Sequence, residues 1–206
     1  MDRNQMRQLR AVVTNFTTRE DGDNNPHIEG YFAVFDSIYE IWPGMTESIA
    51  PHAFDGAENE DIRALTNHDT TLVLGRTMAG TLKLRQDDHG LWADVLINPN
   101  DQDAMNTWQR VKRGDVSQCS IGFDIVDEEA EYRDDGTSHW TIRKVKLWEV
   151  SVCTFPAYEE TNIQARSAQC AEHKKREMEA WKVRMKEVLK NGTEGTHAPE
   201  KDRPEE

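Results

Sequence analysis

Apolar positions along the 206-residue chain recur mostly at every second residue, the spacing of half-buried strands. A first strand is expected around Leu9, Val12, Val13 and Phe16, followed by the polar loop Thr17 to His27. Gly30-Tyr-Phe-Ala-Val-Phe35 and Ile38 to Trp42 predict two strands joined by a turn. Ile62-Arg-Ala-Leu65 and Leu72-Val-Leu74 flank a polar loop, Thr66-Asn-His-Asp-Thr70. The clearest hairpin joins Gly80 to Arg85 with the alternating Leu91, Ala93, Val95 and Ile97 across a turn at Gln86 to Gly90. Asn98-Pro99-Asn100-Asp101 then reads as a helix start, with Pro just inside, and Gly114 as its stop; Ala104, Met105, Trp108 and Val111 fall on one face.

After Gly114, Cys119, Ile121, Phe123 and Ile125 share one side of a strand, while Ser120 and Gly122 take the other. Residues 127 to 139 read as a polar excursion, and Trp140 to Phe155 as one long strand-forming run. About seven to nine short strands with one or two helices, in irregular order, suit a partly closed barrel with helical cover rather than a doubly wound sheet. The fold class expected is mainly β with helices (α+β). From residue 166 the period changes: Met178, Trp181, Met185 and Leu189 form a thin apolar stripe at helical spacing, and 192–206 has no apolar cluster. The division expected is a barrel domain at 1–165, a charged helical extension at 166–191 and a disordered tail at 192–206.

Charge sharpens this division. The net of −13 is uneven: 166–206 carries ten Lys+Arg against nine Asp+Glu, leaving fifteen against twenty-nine in 1–165. An acidic surface repels phosphate backbones, so no nucleic-acid partner is expected. No run of about 18 apolar residues predicts a membrane span, and the N-terminal residues lack the apolar core of a secretory signal. Cys119, Cys153 and Cys170 are too few for a disulfide framework and lack ligand spacing, so reduced thiols in a cytoplasm, no metal and no cofactor are expected. Phosphate-binding glycine loops are absent from the sequence.

Three residues stand out chemically. Ser120, with Gly122 two positions on, is either a nucleophile or a strand serine on a solvated face; Gly122 either leaves room for a substrate backbone or marks a bulge. Of seven histidines, His27, His89 and His139 sit in loop or turn contexts, His52 follows Pro51, and His173 and His197 lie beyond 165. His68 is placed best for a general base, against the plainer reading of a histidine capping a turn beside Asp69. Glu149 lies within an apolar strand, where a carboxylate is costly to bury unless paired. It either faces solvent or meets a basic group such as an imidazole; Ser151 shares its face and offers a hydrogen-bonding alternative, and Asp69 is a second candidate to orient His68. Cys119 falls on the apolar side and reads as a core thiol.

Taken in order, Gly30-Tyr-Phe-Ala-Val-Phe35, Glu47 to Phe54, Asn67-His-Asp69, Leu74-Gly-Arg76, Gly80-Thr-Leu82, Gly90-Leu91, Cys119-Ser-Ile-Gly-Phe123, Leu147-Trp-Glu-Val-Ser151 and Pro156-Ala-Tyr158 resemble the prohead (capsid maturation) proteases of tailed bacteriophages, of the HK97 type, from about residue 28 to 163. The resemblance implies a serine endopeptidase with an antiparallel barrel flanked by helices, like the herpesvirus assembly proteases. Ser120 is then the nucleophile, His68 the general base and Glu149 the third member orienting His68, at the place where the herpesvirus relatives use a second histidine. The implied substrate is the scaffolding region of the major capsid protein, together with the protease itself. The implied setting is the procapsid in the host cytoplasm, with self-association an option. The competing reading is a non-enzymatic capsid assembly or scaffolding module of the same fold.

Overall fold

The computed structural model describes residues 8–13, 16–22, 25–155 and 160–193. Among them the chain is α+β, mostly strands with two helices. The strands are β1 (Gln8–Val13), β2 (Thr17–Glu20), β3 (Pro26–Val34), β4 (Tyr39–Trp42), β5 (Met45–Ile49), β6 (Arg63–Thr66), β7 (Asp69–Arg76), β8 (Leu82–Gln86), β9 (Gly90–Leu96), β10 (Gln118–Tyr132) and β11 (Ser138–Cys153); the helices are α1 (Gln102–Arg113) and α2 (Glu160–Thr193). Contacts divide the chain into two units, residues 1–164 and 165–206. The disordered tail expected at 192–206 lies outside the described residues from 194 onward.

Two open sheets build the first unit. One is β2-β3-β9-β8 and contains the predicted β8–β9 hairpin; the other runs β1-β10-β11-β5-β4, with β6 and β7 attached to β11 beside that path. The ladders do not close into a ring among the described residues. Nor is the larger sheet purely antiparallel, as expected from the family resemblance. Strand β11 pairs in parallel with β5 along Ser138–Ile142 and with β6 along Glu149–Val152. Two strands of the same sense thus share one edge of β11, and the chain between them loops out while Ala50 N–H stays bonded to the Ile142 carbonyl at 2.9 Å.

Alternation along β10 and β11 fixes the two faces. Register pairs Cys119 with Val152 and Ile121 with Val150, all buried in the apolar cluster that also holds Ile28, Phe32 and Val95. The Cys119 thiol lies 3.4 Å from the Tyr31 carbonyl within this core. Ser120 pairs with Ser151 and Gly122 with Glu149 on the opposite face. The expected polar excursion at 127–139 is instead the far end of this ribbon: β10 continues to Tyr132 and β11 begins at Ser138. The β10 stretch has no apolar run to announce it; backbone pairing and cross-strand charges, such as Arg143 with Glu129, sustain it beside the buried Trp140 and Ile142 of β11.

Helix α1 starts three residues later than Pro99 suggested. The Asp101 carboxylate accepts from the Asp103 and Ala104 amides at 3.0 and 3.2 Å, making it the cap. Gly114 closes the helix at φ 88°, and Trp108 and Val111 are buried from it.

Candidate active site

The β6–β7 connection is a two-residue turn in which Asn67 and His68 both take left-handed backbone conformations, φ 51° and 60°. Such turns match the twist of a tight hairpin, and Asn tolerates this conformation best. Hydrogen bonds tie the turn to the end of β11. Asn67 N–H donates to the Val152 carbonyl at 2.9 Å, Asn67 Oδ1 accepts from Thr154 N–H at 2.9 Å, and His68 N–H donates to Ser151 Oγ at 3.2 Å. The histidine is thereby delivered to the polar face of the β10–β11 ladder.

There His68 Nδ1 lies 2.6 Å from Glu149 Oε1, in a pair whose side chains are 16% and 4% exposed. A carboxylate can only accept, so the ring proton belongs on Nδ1 and the neutral ring keeps its lone pair on Nε2. The other carboxylate oxygen, Oε2, accepts from the Ser151 hydroxyl at 2.6 Å. Asp69, the second candidate to orient the ring, turns away: its Oδ1 accepts from Thr71 Oγ1–H and N–H at 2.6 and 2.8 Å. Those bonds, the hydroxyl's first, hold its carboxyl below the ordinary range.

Gly122 has a role other than either one its sequence context offered alone. A Cβ there would stand 2.3 Å from Glu149 Oε1 and 3.0 Å from its Cδ, so the bare backbone makes room for the carboxylate. A register shift between Gly122 and Phe123 does mark a bulge at the same place.

Ser120 sits on the same polar face, opposite Ser151, and is fully buried, its hydroxyl without a hydrogen-bond partner among the described residues. An orphaned buried hydroxyl costs about 1–3 kcal/mol, a penalty that asks for a functional reason. His68 and Glu149 are thus joined directly, whereas Ser120 shares their face without bonding to either. The neighbour of His68 Nε2 is the Cys153 thiol, at 3.8 Å. Burial, then the Glu149 charge, pushes this thiol up to about 12, so Cys153 stays protonated and is a poor nucleophile.

Sequence reasoning left the part played by Ser151 open and missed Cys153; both follow Glu149 at alternate positions, the one signal that placed them here. It also misplaced His27. That histidine is a buried β3 residue, with Nδ1 2.6 Å from Asp94 Oδ1 and Nε2 3.4 Å from Asp21 Oδ2. His139 likewise lies on β11, within 2.8 Å of Thr46 Oγ1 and 3.0 Å of Ser48 Oγ. Strand pairing, not a turn, positions each ring.

A family model described as Caudovirus prohead serine protease matches residues 14–176. The chain belongs to this family. It is also similar to the prohead protease of Enterobacteria phage HK97, at 26% identity over 157 residues that cover 74% of this chain and 67% of the relative. No solved structure matches it. Family membership makes the chain a serine protease of prohead maturation and sets aside the non-enzymatic alternative. Among the described residues no helix is long and apolar enough to cross a membrane.

Proposed function

We propose that the chain cleaves the scaffolding region of the major capsid protein, and itself, inside the procapsid in the host cytoplasm, using Ser120 as nucleophile, His68 as general base and Glu149 to orient His68. The observation that carries this reading is the 2.6 Å bond from His68 Nδ1 to Glu149, on the ladder face that also holds Ser120. Nε2 takes the Ser120 proton as the hydroxyl attacks the peptide carbonyl. The imidazolium, stabilised by Glu149, then gives that proton to the leaving amine, and water releases the acyl group by the reverse sequence. In the resting arrangement Nε2 faces Cys153, so productive attack requires the ring to exchange the thiol for the Ser120 hydroxyl and the face to open to substrate.

The fold belongs, on this reading, with the partly closed barrel of the herpesvirus assembly proteases. Residues 1–165 form the catalytic domain, with 166–191 and 192–206 an extension and tail used in packaging or removed by self-cleavage. The test is incubation of the chain with its cognate capsid precursor, read by intact mass. The precursor and the protease should both shorten, and neither should in the Ser120→Ala variant; unchanged processing by that variant would refute the proposal.

A further inference from the structure

We propose that Ser151 is a positioning residue of the site, fixing through one hydroxyl both the Glu149 carboxylate and the backbone of His68; this rests on the protease reading given above. The side chain is fully buried in a strand whose neighbours are Val150 and Val152. A hydroxyl there carries a desolvation cost that valine or alanine would avoid, unless its bonds are used. Both its functions are used, and both on the same pair of residues. The O–H donates to Glu149 Oε2 at 2.6 Å, and the oxygen accepts from the His68 amide at 3.2 Å.

The geometry makes the two bonds interdependent. Glu149 Oε1 receives the imidazole and Oε2 the hydroxyl, so the carboxylate cannot rotate about its last torsion without losing one of them. On the third side the missing Cβ of Gly122 admits Oε1 and would close that space if present. The amide bond at the same oxygen anchors the left-handed turn that carries the ring. Ser151 therefore joins the base's backbone to the group that orients its side chain, and does so from the strand position opposite Ser120.

The charged and titratable groups around this seat are His68 from the turn, Glu149 and Cys153 from β11 itself, and Arg63, the β6 register partner of Glu149, whose guanidinium turns to Asp61 at 3.1 Å. Strand β10 brings Gln118, Ser120 and Gly122 to this face, none of them charged. A carboxylate that loses a donor is a stronger base, and holds a proton more readily, its own or one shared with the imidazolium. Without the Ser151 hydroxyl the competent form, carboxylate with neutral imidazole, should disappear at higher pH on acidification.

The test needs no peptide substrate. A fluorophosphonate probe is reacted with the full chain across pH, the labelled residue is mapped by mass spectrometry, and the downfield Nδ1 proton of His68 is followed by NMR. In Ser151→Ala the labelling rate of Ser120 should fall about tenfold. The acid-side midpoint of the rate profile should rise by about 0.5–1 pH unit. The Nδ1 resonance should move upfield or broaden, and Ser151→Thr, which keeps the hydroxyl, should recover rate and midpoint. If Ser151→Ala does not fold, Ser151→Cys, close in size with a feeble donor, is judged by the same midpoint. A loss of rate with midpoint and resonance unmoved would reduce Ser151 to packing and overturn the inference, as would no change at all. Wild-type chain that never labels at Ser120, or labels equally well as His68→Ala, would overturn the protease reading and this inference together.

Discussion

Two histidines in this molecule meet a strand carboxylate at the same distance: His68 with Glu149 and His27 with Asp94, each with Nδ1 to oxygen at 2.6 Å. What separates them is the rest of the ring. His27 lies within β3, its side chain 9% exposed, with Asp21 3.4 Å from Nε2, Arg19 Nη2 3.1 Å from Nδ1, and Arg19 also bonded to Asp94 at 2.7 Å. Both of its nitrogens are thus engaged by charged partners. His68 sits on a turn, and among the described residues its second nitrogen meets only a protonated thiol, at 3.8 Å. A base needs an accessible lone pair that a substrate-side proton can reach; a buried ion-pair member does not have one. The histidine–carboxylate pair alone therefore does not single out a base; the weakly engaged second nitrogen is what the proposed role of His68 rests on.

The sharpest way to break this contrast is to remove each histidine and the proposed nucleophile, Ser120. Ser120→Ala and His68→Ala should each lower kcat/KM toward the capsid precursor by about 10⁴–10⁶-fold. Ser120→Ala should melt no lower than the wild type, because it deletes an unpaired buried hydroxyl. His27→Ala should cost about 1–2 kcal/mol in denaturant unfolding, with Arg19 still holding Asp94, and leave kcat/KM of the folded protein within about threefold. A large loss of cleavage in His27→Ala, at full stability, would erase the distinction.

The carboxylates come next in size. Glu149→Gln should reduce kcat/KM by about 10²–10⁴-fold, since an amide can still accept from Nδ1–H but stabilises the imidazolium poorly. Asp94→Asn, measured alongside, should alter the melting temperature and not the chemistry.

Smaller again is the effect of crowding the seat of Glu149. Gly122→Ala places a Cβ where the carboxylate lies and should cost about 1–3 kcal/mol in stability, with at least a tenfold loss of activity. A comparable Gly44→Ala variant, where the Cβ meets only Thr137 Cγ2 at 3.6 Å, should lose stability through its φ of 81° without losing activity.

The smallest effect concerns the thiol beside His68 Nε2. Cys153 is raised from 9.0 to about 12 in the folded chain, so its contribution to stability is complete below pH 9 and is lost as pH rises from 9 toward 12, where the unfolded chain ionises first. Urea midpoints measured across that window should fall less steeply in Cys153→Ala. Native Cys153 should also resist alkylation at pH 8 until the chain unfolds.

Much of the fold was legible because burial leaves a period. The β8–β9 hairpin, the apolar side of β10 and the α1 face all follow from alternation or helical spacing. The outer part of β10 escaped because Asp127 to Tyr132 carries no apolar run, and its order comes from pairing with β11, whose buried Trp140 and Ile142 lie along that stretch. Glu149 was legible for a related reason: a carboxylate in an apolar strand must be paired. The same logic applies to Asp94 within β9 and to Glu47, which is buried with Arg10 at 3.0 Å, yet those carboxylates serve structure.

What the sequence by itself determined is the set of candidates and the family. Motif order singles out Ser120, His68 and Glu149, and strand alternation places Ser120 away from the core and Glu149 with Ser151. Only the tertiary structure decided who meets whom. Register sets Ser120 against Ser151 and Gly122 against Glu149, and the parallel docking of β6 on β11 brings a turn histidine 81 residues away in sequence onto that carboxylate. Strand period is a local property, written by the residues that carry it. Pairing between distant strands depends on the packing of the whole core, and no short stretch of sequence contains it.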